Sequence, residues 1–158
     1  MWLLGKDEED SFSGVKKLGP EPFAAEFNGS YLQDALSNKS RAIKDCLLDQ
    51  HIVTGIGNIY SDEILFASKI HPQRPASSLS AKECQRLSKL IPQVLLRAIE
   101  QNRISPEEYL KEKGQGYRST PFFQVYGKKG QPCPACGEPL CRVMVAGRSS
   151  TYCPSCQK

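Results

Sequence analysis

Near the C-terminus two Cys-x-x-Cys pairs, Cys133-Pro134-Ala135-Cys136 and Cys153-Pro154-Ser155-Cys156, stand sixteen residues apart. Two thiolates two residues apart can bind one Zn²⁺ from a tight turn, and a second such turn completes a tetrahedron. The residues between read as a β-hairpin, 140–145 and 151–153, turning near Ala146-Gly147-Arg148. So few of them are apolar that burial alone cannot fold the unit, whereas metal binding supplies on the order of 10 kcal/mol to such modules. Four thiolates leave no open coordination position, so one structural zinc is expected on Cys133, Cys136, Cys153 and Cys156. Seven cysteines are an odd number, which argues against a closed disulfide framework. Cys46 and Cys84 fall in helical stretches, as small buried hydrophobes do. Cys141 lies inside the hairpin, but its spacing fits neither knuckle.

Charge divides the chain as sharply as the cysteines do. Residues 1–110 hold 13 Lys/Arg and 15 Asp/Glu, a net −2; residues 111–158 hold 8 and 2, a net +6. A basic end of this kind suits a polyanionic partner, or else is a solvated tail. With 39% hydrophobic and 24% charged residues the composition is globular and not disordered. No apolar run approaches the roughly 20 residues that cross a bilayer, so no membrane partner is expected. The start, Met1-Trp2-Leu3-Leu4-Gly5, is too short for a signal-peptide core. A cytoplasmic protein is expected.

Leu18-Gly19-Pro20-Glu21-Pro22 reads as a rigid domain boundary, since two prolines exclude regular pairing. Helices are expected at 30–37 and 41–49, and a third from Asn58, with Asn58 as its N-cap and Asp62 and Glu63 favoured by the positive end of the helix dipole. Ser80-Ala81-Lys82-Glu83 is a capping box, and Leu87, Leu90, Ile91, Val94, Leu95, Ala98 and Ile99 continue it as a helical stripe that Pro92 should kink. Ser105-Pro106 starts one more short helix. Phe122-Phe123-Gln124-Val125-Tyr126 looks like a strand. Gly55-Ile56-Gly57-Asn58 places two glycines before a helix N-terminus, a geometry that attracts phosphate, although plain turn chemistry explains it as well. It lacks the third glycine of a dinucleotide site.

Taken together, Leu18-Gly19-Pro20-Glu21-Pro22, the run Gly55-Ile56-Gly57-Asn58-Ile59-Tyr60-Ser61-Asp62-Glu63-Ile64-Leu65-Phe66, Ile70-His71-Pro72, Gln124-Val125-Tyr126-Gly127 and the hairpin ending Gly147-Arg148-Ser149-Ser150-Thr151-Tyr152-Cys153 stand in a characteristic order. They resemble the C-terminal half of the formamidopyrimidine-DNA glycosylase (Fpg/Nei) family, on the Fpg branch. The resemblance implies a mainly α fold, a helix–two-turn–helix DNA-binding domain followed by a small β-hairpin zinc finger. It divides the chain into a remnant of an N-terminal β domain (1–17), the helical domain (18–112), a lesion-recognition-type loop (113–123) and the zinc finger (124–158). Asn58 and Arg148 would grip phosphates flanking a damaged nucleotide, with Gly57 and Tyr60 in the same DNA-binding turn. Lys44 matches a family lysine near the lesion, and Tyr117 stands in the loop that covers a flipped oxidised purine. The partner implied is double-stranded DNA with an oxidised or abasic site, and the setting a bacterial nucleoid.

Members of that family use an N-terminal proline as amine nucleophile, followed by a glutamate. Here Met1 is followed by Trp2-Leu3-Leu4. The expectation is therefore a truncated chain with no catalytic residue, inactive without an N-terminal catalytic domain, whose parent excises oxidised purines and nicks the strand by β/δ-elimination. Lys44 could form an imine in its place, but a phosphate or surface lysine is the simpler reading. Helix-start stabilisation accounts for Asp62 and Glu63, and structural roles for His51 and His71. The alternative from another class is a zinc-ribbon module that binds protein or RNA without lesion specificity.

Overall fold

Local capping decides where the helices begin. In the computed structural model, which describes residues 18–101, 103, 107, 110 and 122–158, Asn28 opens α1 (Gly29–Leu36) by accepting from the Tyr31 N–H at 3.0 Å. The expectations placed on residues 1–17, on the helix start at Ser105-Pro106 and on the loop bearing Tyr117 lie outside the described residues. Helix α2 (Ile43–Leu47) is shorter than the nine residues expected, because its approach is spent on pairing. Ala42 bridges Pro75, the Ile43 N–H donates to the Arg74 carbonyl and the Ala76 N–H to that of Arg41.

Helix α3 (Asn58–Ala67) corrects two expectations. Its N-cap is Gly57, in extended conformation, and no side chain caps it; Asn58 is the first helical residue. Asp62 and Glu63 stand beyond the first turn and are 1% and 8% exposed. Dipole stabilisation at a solvated helix start is therefore not what keeps them there. Both face the second structural unit, as described below.

Helix α4 (Ala81–Gln101) runs through Pro92 as one element and begins with the expected box. The Ser80 N–H donates to Glu83 Oε2 at 2.8 Å, and the Glu83 N–H to Ser80 Oγ at 3.3 Å. Arg74 adds a bidentate pair to the same carboxylate, at 2.6 and 2.9 Å. Together these hold the Glu83 carboxyl at about 2, with the Arg74 hydrogen bond the largest cause. The packed faces of α1, α3 and α4 enclose Leu32, Leu36, Ile43, Leu47, Val53, Ile64, Leu65, Ile70, Leu87 and Ile91, all essentially inaccessible. Cys46 and Cys84 join them as small buried side chains.

The C-terminal unit is a two-stranded antiparallel hairpin, β1 (Cys141–Val145) and β2 (Arg148–Tyr152). Ala146 and Gly147 connect them with φ of 46° and 75°. Positive φ at both central residues is the two-residue turn whose twist matches paired strands, and it fixes the register Val145↔Arg148. Arg148 is thus the first residue of β2 and not part of the turn, and β2 starts three residues earlier than expected. Val125, Cys133, Leu140 and Cys153 form a second small core, and Phe66 of α3 packs against it.

The expected strand at Phe122–Tyr126 is absent, and Glu63 explains its absence. Its carboxylate accepts from the N–H groups of Gln124 (2.8 Å), Val125 (3.0 Å) and Tyr126 (2.8 Å). One side chain here takes the place of a partner strand. The alternation that suggested a strand survives as burial of Phe123 and Val125. At the other end of the unit, Gln157 accepts from the Cys153 N–H and donates to the Ile70 carbonyl at 2.9 Å, and the His71 N–H donates to the Lys158 carbonyl at 2.9 Å. Among the described residues no helix is long and apolar enough to cross a membrane.

Glu63→Gln preserves shape but turns an amide NH₂ towards at least one of three buried or part-buried N–H donors. An unsatisfied buried donor costs about 1–3 kcal/mol. The variant is expected to unfold at correspondingly lower temperature and to lose hydrogen-exchange protection at Gln124, Val125 and Tyr126. Wild-type protection at those amides would refute the clamp.

Candidate nucleic-acid interface

Asp62 is the point at which the helical unit and the hairpin meet. Its Oδ1 accepts from Lys44 Nζ and from Ser150 Oγ, both at 2.6 Å, and its Oδ2 from the Thr151 N–H at 2.9 Å. Lys44 Nζ also donates to the Ser149 carbonyl at 3.0 Å. Lys44 is fully buried and stands on α2, so the structure places it inside the molecule, as the counter-ion of Asp62. Burial pushes its pKa down, the Asp62 hydrogen bond opposes that, and the nearby Arg148 charge lowers it further. The Ser149 carbonyl that Lys44 reaches belongs to the residue next to Arg148 in β2.

The sequence-predicted residues of the turn are close by. Asn58 lies one helical turn before Asp62 on α3, and its Oδ1 is buried without a donor among the described residues. Such an orphan costs about 1–3 kcal/mol and asks for an explanation. Gly57 is exposed, with φ −107° and ψ −177°, a conformation open to any residue, and a Cβ built on it would meet nothing within 4 Å. Neither the fold's backbone nor its packing requires glycine there. Tyr60 is half-buried with its ring edge-on to Phe123 at 6.3 Å, and it lines an apolar groove with Phe23, Leu95 and Ile99. Arg148 is exposed, while Ser150 and Thr151 further along β2 are buried.

The metal set meets a geometric test. The four Sγ atoms of Cys133, Cys136, Cys153 and Cys156 all lie within 4.8 Å of one another. Two of the separations are 4.0 Å (Cys133–Cys156) and 3.5 Å (Cys136–Cys153). A tetrahedron with Zn–S near 2.3 Å has edges of roughly 3.8 Å. Without a cation these thiols compete: the Glu138 backbone pulls Cys136 down to about 7, while hydrogen bonds from Cys136 and Cys153 push Cys156 up to about 12. A divalent cation among them lets all four ionise together. Cys141 is outside the cluster, with its Sγ turned to the Pro139 carbonyl.

Several functional contacts escape sequence reasoning. Asp62 and Glu63 look like helix-start carboxylates, yet the five consecutive residues from Ser61 to Leu65 are all buried, so α3 has no solvated face there. Gln157 carries no motif at all. His71 has a structural role, as expected, but a specific one: its ring packs edge-on to Tyr152 at 4.5 Å, between helical unit and hairpin. His51 binds Asp49 at the surface.

Comparison with known proteins agrees with this geometry. Residues 18–108 match the formamidopyrimidine-DNA glycosylase H2TH domain, and residues 130–158 the zinc finger found in FPG and IleRS. The formamidopyrimidine-DNA glycosylase of Salmonella choleraesuis is 46% identical over 157 residues, covering 99% of this chain and 58% of that protein. A complex between the Lactococcus lactis Fpg and abasic-site DNA superposes with a TM-score of 0.85 at 33% identity, covering 98% of this chain and 57% of that one. MutM (Fpg) from Thermus thermophilus gives 0.80 at 38% identity, covering 96% and 57%. The chain spans a little under three-fifths of the length of these relatives. A buried carboxylate that ties a four-cysteine hairpin to an uncapped helix is thus found in a chain that belongs to the formamidopyrimidine-DNA glycosylase family and matches the C-terminal part of its members.

Proposed function

We propose that this chain supplies the DNA grip of a base-excision-repair glycosylase, holding duplex DNA at an oxidised or abasic site in the bacterial cytoplasm, at the nucleoid. The observation that carries the reading is the buried link between α3, one turn beyond its uncapped N-terminus, and β2, the strand that begins with Arg148. Lys44 links them, touching both Asp62, one turn beyond Asn58, and the Ser149 carbonyl next to Arg148. A helix N-terminus without a side-chain cap presents backbone N–H groups, here those of Asn58 and Ile59, and a positive dipole end, and a guanidinium pairs with phosphate. Gly57 supports the same reading: its missing Cβ leaves room for a phosphate to approach the backbone. Asn58 does too, since its amide is not spent on capping α3. Lys44 acts from within, as a counter-ion, and not as a direct phosphate contact. These contacts position a duplex and carry little sequence information. Within the proposed whole enzyme, excision of an oxidised purine and β/δ-elimination at the sugar are left to residues elsewhere, and Tyr117 covers the flipped base. Helical grip (18–112), covering loop (113–123) and zinc finger (124–158) are the proposed working parts, and the zinc finger's task is to present Arg148.

Three outcomes test the proposal. In a gel-shift titration the chain should bind duplex containing an abasic-site analogue more tightly than intact duplex, with affinity falling steeply as salt rises. Arg148→Ala, Asn58→Ala and removal of zinc by a chelator should each weaken it; equal affinity for the two duplexes would leave only the protein- or RNA-binding reading. Gly57→Ala should shift unfolding by less than about 1 kcal/mol, as a cap substitution does, yet cost DNA affinity by crowding the phosphate. Unchanged affinity would show the clearance to be unused. Finally, Lys44 is ion-paired and inaccessible, so borohydride in the presence of abasic duplex should trap no adduct at Lys44, and a peptide carrying one would contradict its placement.

A further inference from the structure

We infer that Asp62 is a positioning residue for DNA binding, one that sets the separation between Asn58 and Arg148 by fastening β2 to α3. The inference rests on the functional reading above and deepens it.

Asp62 is equipped for the task by its place on both elements. On α3 it follows Asn58 by four residues, which puts the two on one helix face. On β2 its partners are Ser150 Oγ and the Thr151 N–H, and Ser150 follows Arg148 by two residues, which puts those two on one strand face. Each proposed phosphate contact is therefore one short rigid step from the same carboxylate. The remaining attachments between hairpin and helical unit hold other places. Gln157, Lys158 and the His71–Tyr152 ring contact secure the knuckle end, and Phe66 packs on the small core. Nearer the tip, among the described residues, are a long bond, 3.4 Å, from Gln73 Nε2 to the Met144 carbonyl and the bond to the Ser149 carbonyl from Lys44, whose ammonium group is itself held by Asp62. Without Asp62 the strand carrying Arg148 loses both of its hydrogen bonds to α3 and the anion that holds Lys44 against the Ser149 carbonyl.

Charge makes the inference testable. A carboxylate in a phosphate-binding surface is unfavourable, and Asp62 is tolerated because it is 1% exposed and neutralised by Lys44. By charge alone, Asp62→Asn should strengthen DNA binding. A positioning role requires the reverse. Affinity for abasic-analogue duplex should fall roughly tenfold, the loss of one charge-assisted contact, and the slope of log affinity against log salt should shrink by about one, as it does for a lost phosphate contact. In the Arg148→Ala background the same substitution should cost less than about twofold, since the group it places is gone.

The experiment is a double-mutant cycle of Asp62→Asn and Arg148→Ala in the full chain, read by fluorescence anisotropy at several salt concentrations, with circular dichroism and zinc content as fold controls. Asp62→Asn leaves a buried cation without its partner, a change that can unfold a domain. Lys44→Met combined with Asp62→Asn removes both charges, keeps the net charge, and carries the cycle if the single variant fails to fold. An unchanged salt slope in a folded variant, or losses that multiply in the combined variant, would overturn the inference while leaving the functional reading intact. If the unsubstituted chain shows no preference for the abasic analogue, the functional reading falls first, before any substitution is made, and takes the inference with it.

Discussion

Two adjacent carboxylates on α3 fasten the helical unit to the C-terminal one at its middle. Asp62 points from α3 to the hairpin and Glu63 to residues 124–126 before it, in a C-terminal unit with only a small apolar core of its own. Each carboxylate accepts three hydrogen bonds, Asp62 from Lys44, Ser150 and Thr151, and Glu63 from three consecutive backbone N–H groups. In a low-dielectric interface such charge-assisted bonds are strong, and a half-satisfied set is costlier than none. The consequence is specificity of docking. The hairpin has one register against α3 in which every donor is met, and any shift leaves a buried charge or a buried N–H alone.

Metal and carboxylates divide the work. The four-cysteine set gives the C-terminal unit its internal shape, which its few apolar residues cannot provide. It does not determine where that unit sits. Placement comes from α3 and from the last two residues, Gln157 and Lys158, which hydrogen-bond back to Ile70, Lys69 and His71. A module folded by metal and oriented by buried polar contacts can hold a long exposed arginine on a unit with only a small apolar core.

How much of this was legible in the sequence follows from the range of the forces involved. The capping box at Ser80 and Glu83, the apolar stripe of α4 and the spacing of the cysteine pairs are encoded within a few residues, and the structure shows all three. The Asn58 cap and the strand at 122–126 mislead because both depend on distant partners. Asn58 is a good cap by propensity, yet Gly57 takes that position. Residues 122–126 alternate as a strand does, yet their N–H groups meet a carboxylate about sixty residues earlier in the chain. Local pattern cannot distinguish a neighbouring strand from a side chain that replaces one. Lys44 shows the same limit, since a lone lysine in a helix carries no mark of the aspartate that buries it.

The burial of Lys44 has a cost that the architecture must explain. A desolvated ion pair often stabilises a fold no better than two apolar side chains of the same volume. Here the lysine does what an apolar residue cannot: it reaches past Asp62 to the Ser149 carbonyl, so that α2, α3 and β2 are held by one ammonium group. It also brings a positive charge to the residue next to Arg148, whose own charge lowers the lysine's pKa. Two cations at that distance repel each other unless an anion lies nearby. Asp62 answers for the inner one and leaves the outer one, on an exposed strand end, uncompensated among the contacts of the described residues. An interface built to bind phosphate needs that imbalance at its surface, and a fold needs it absent from its interior. Asp62 meets both requirements because it is buried.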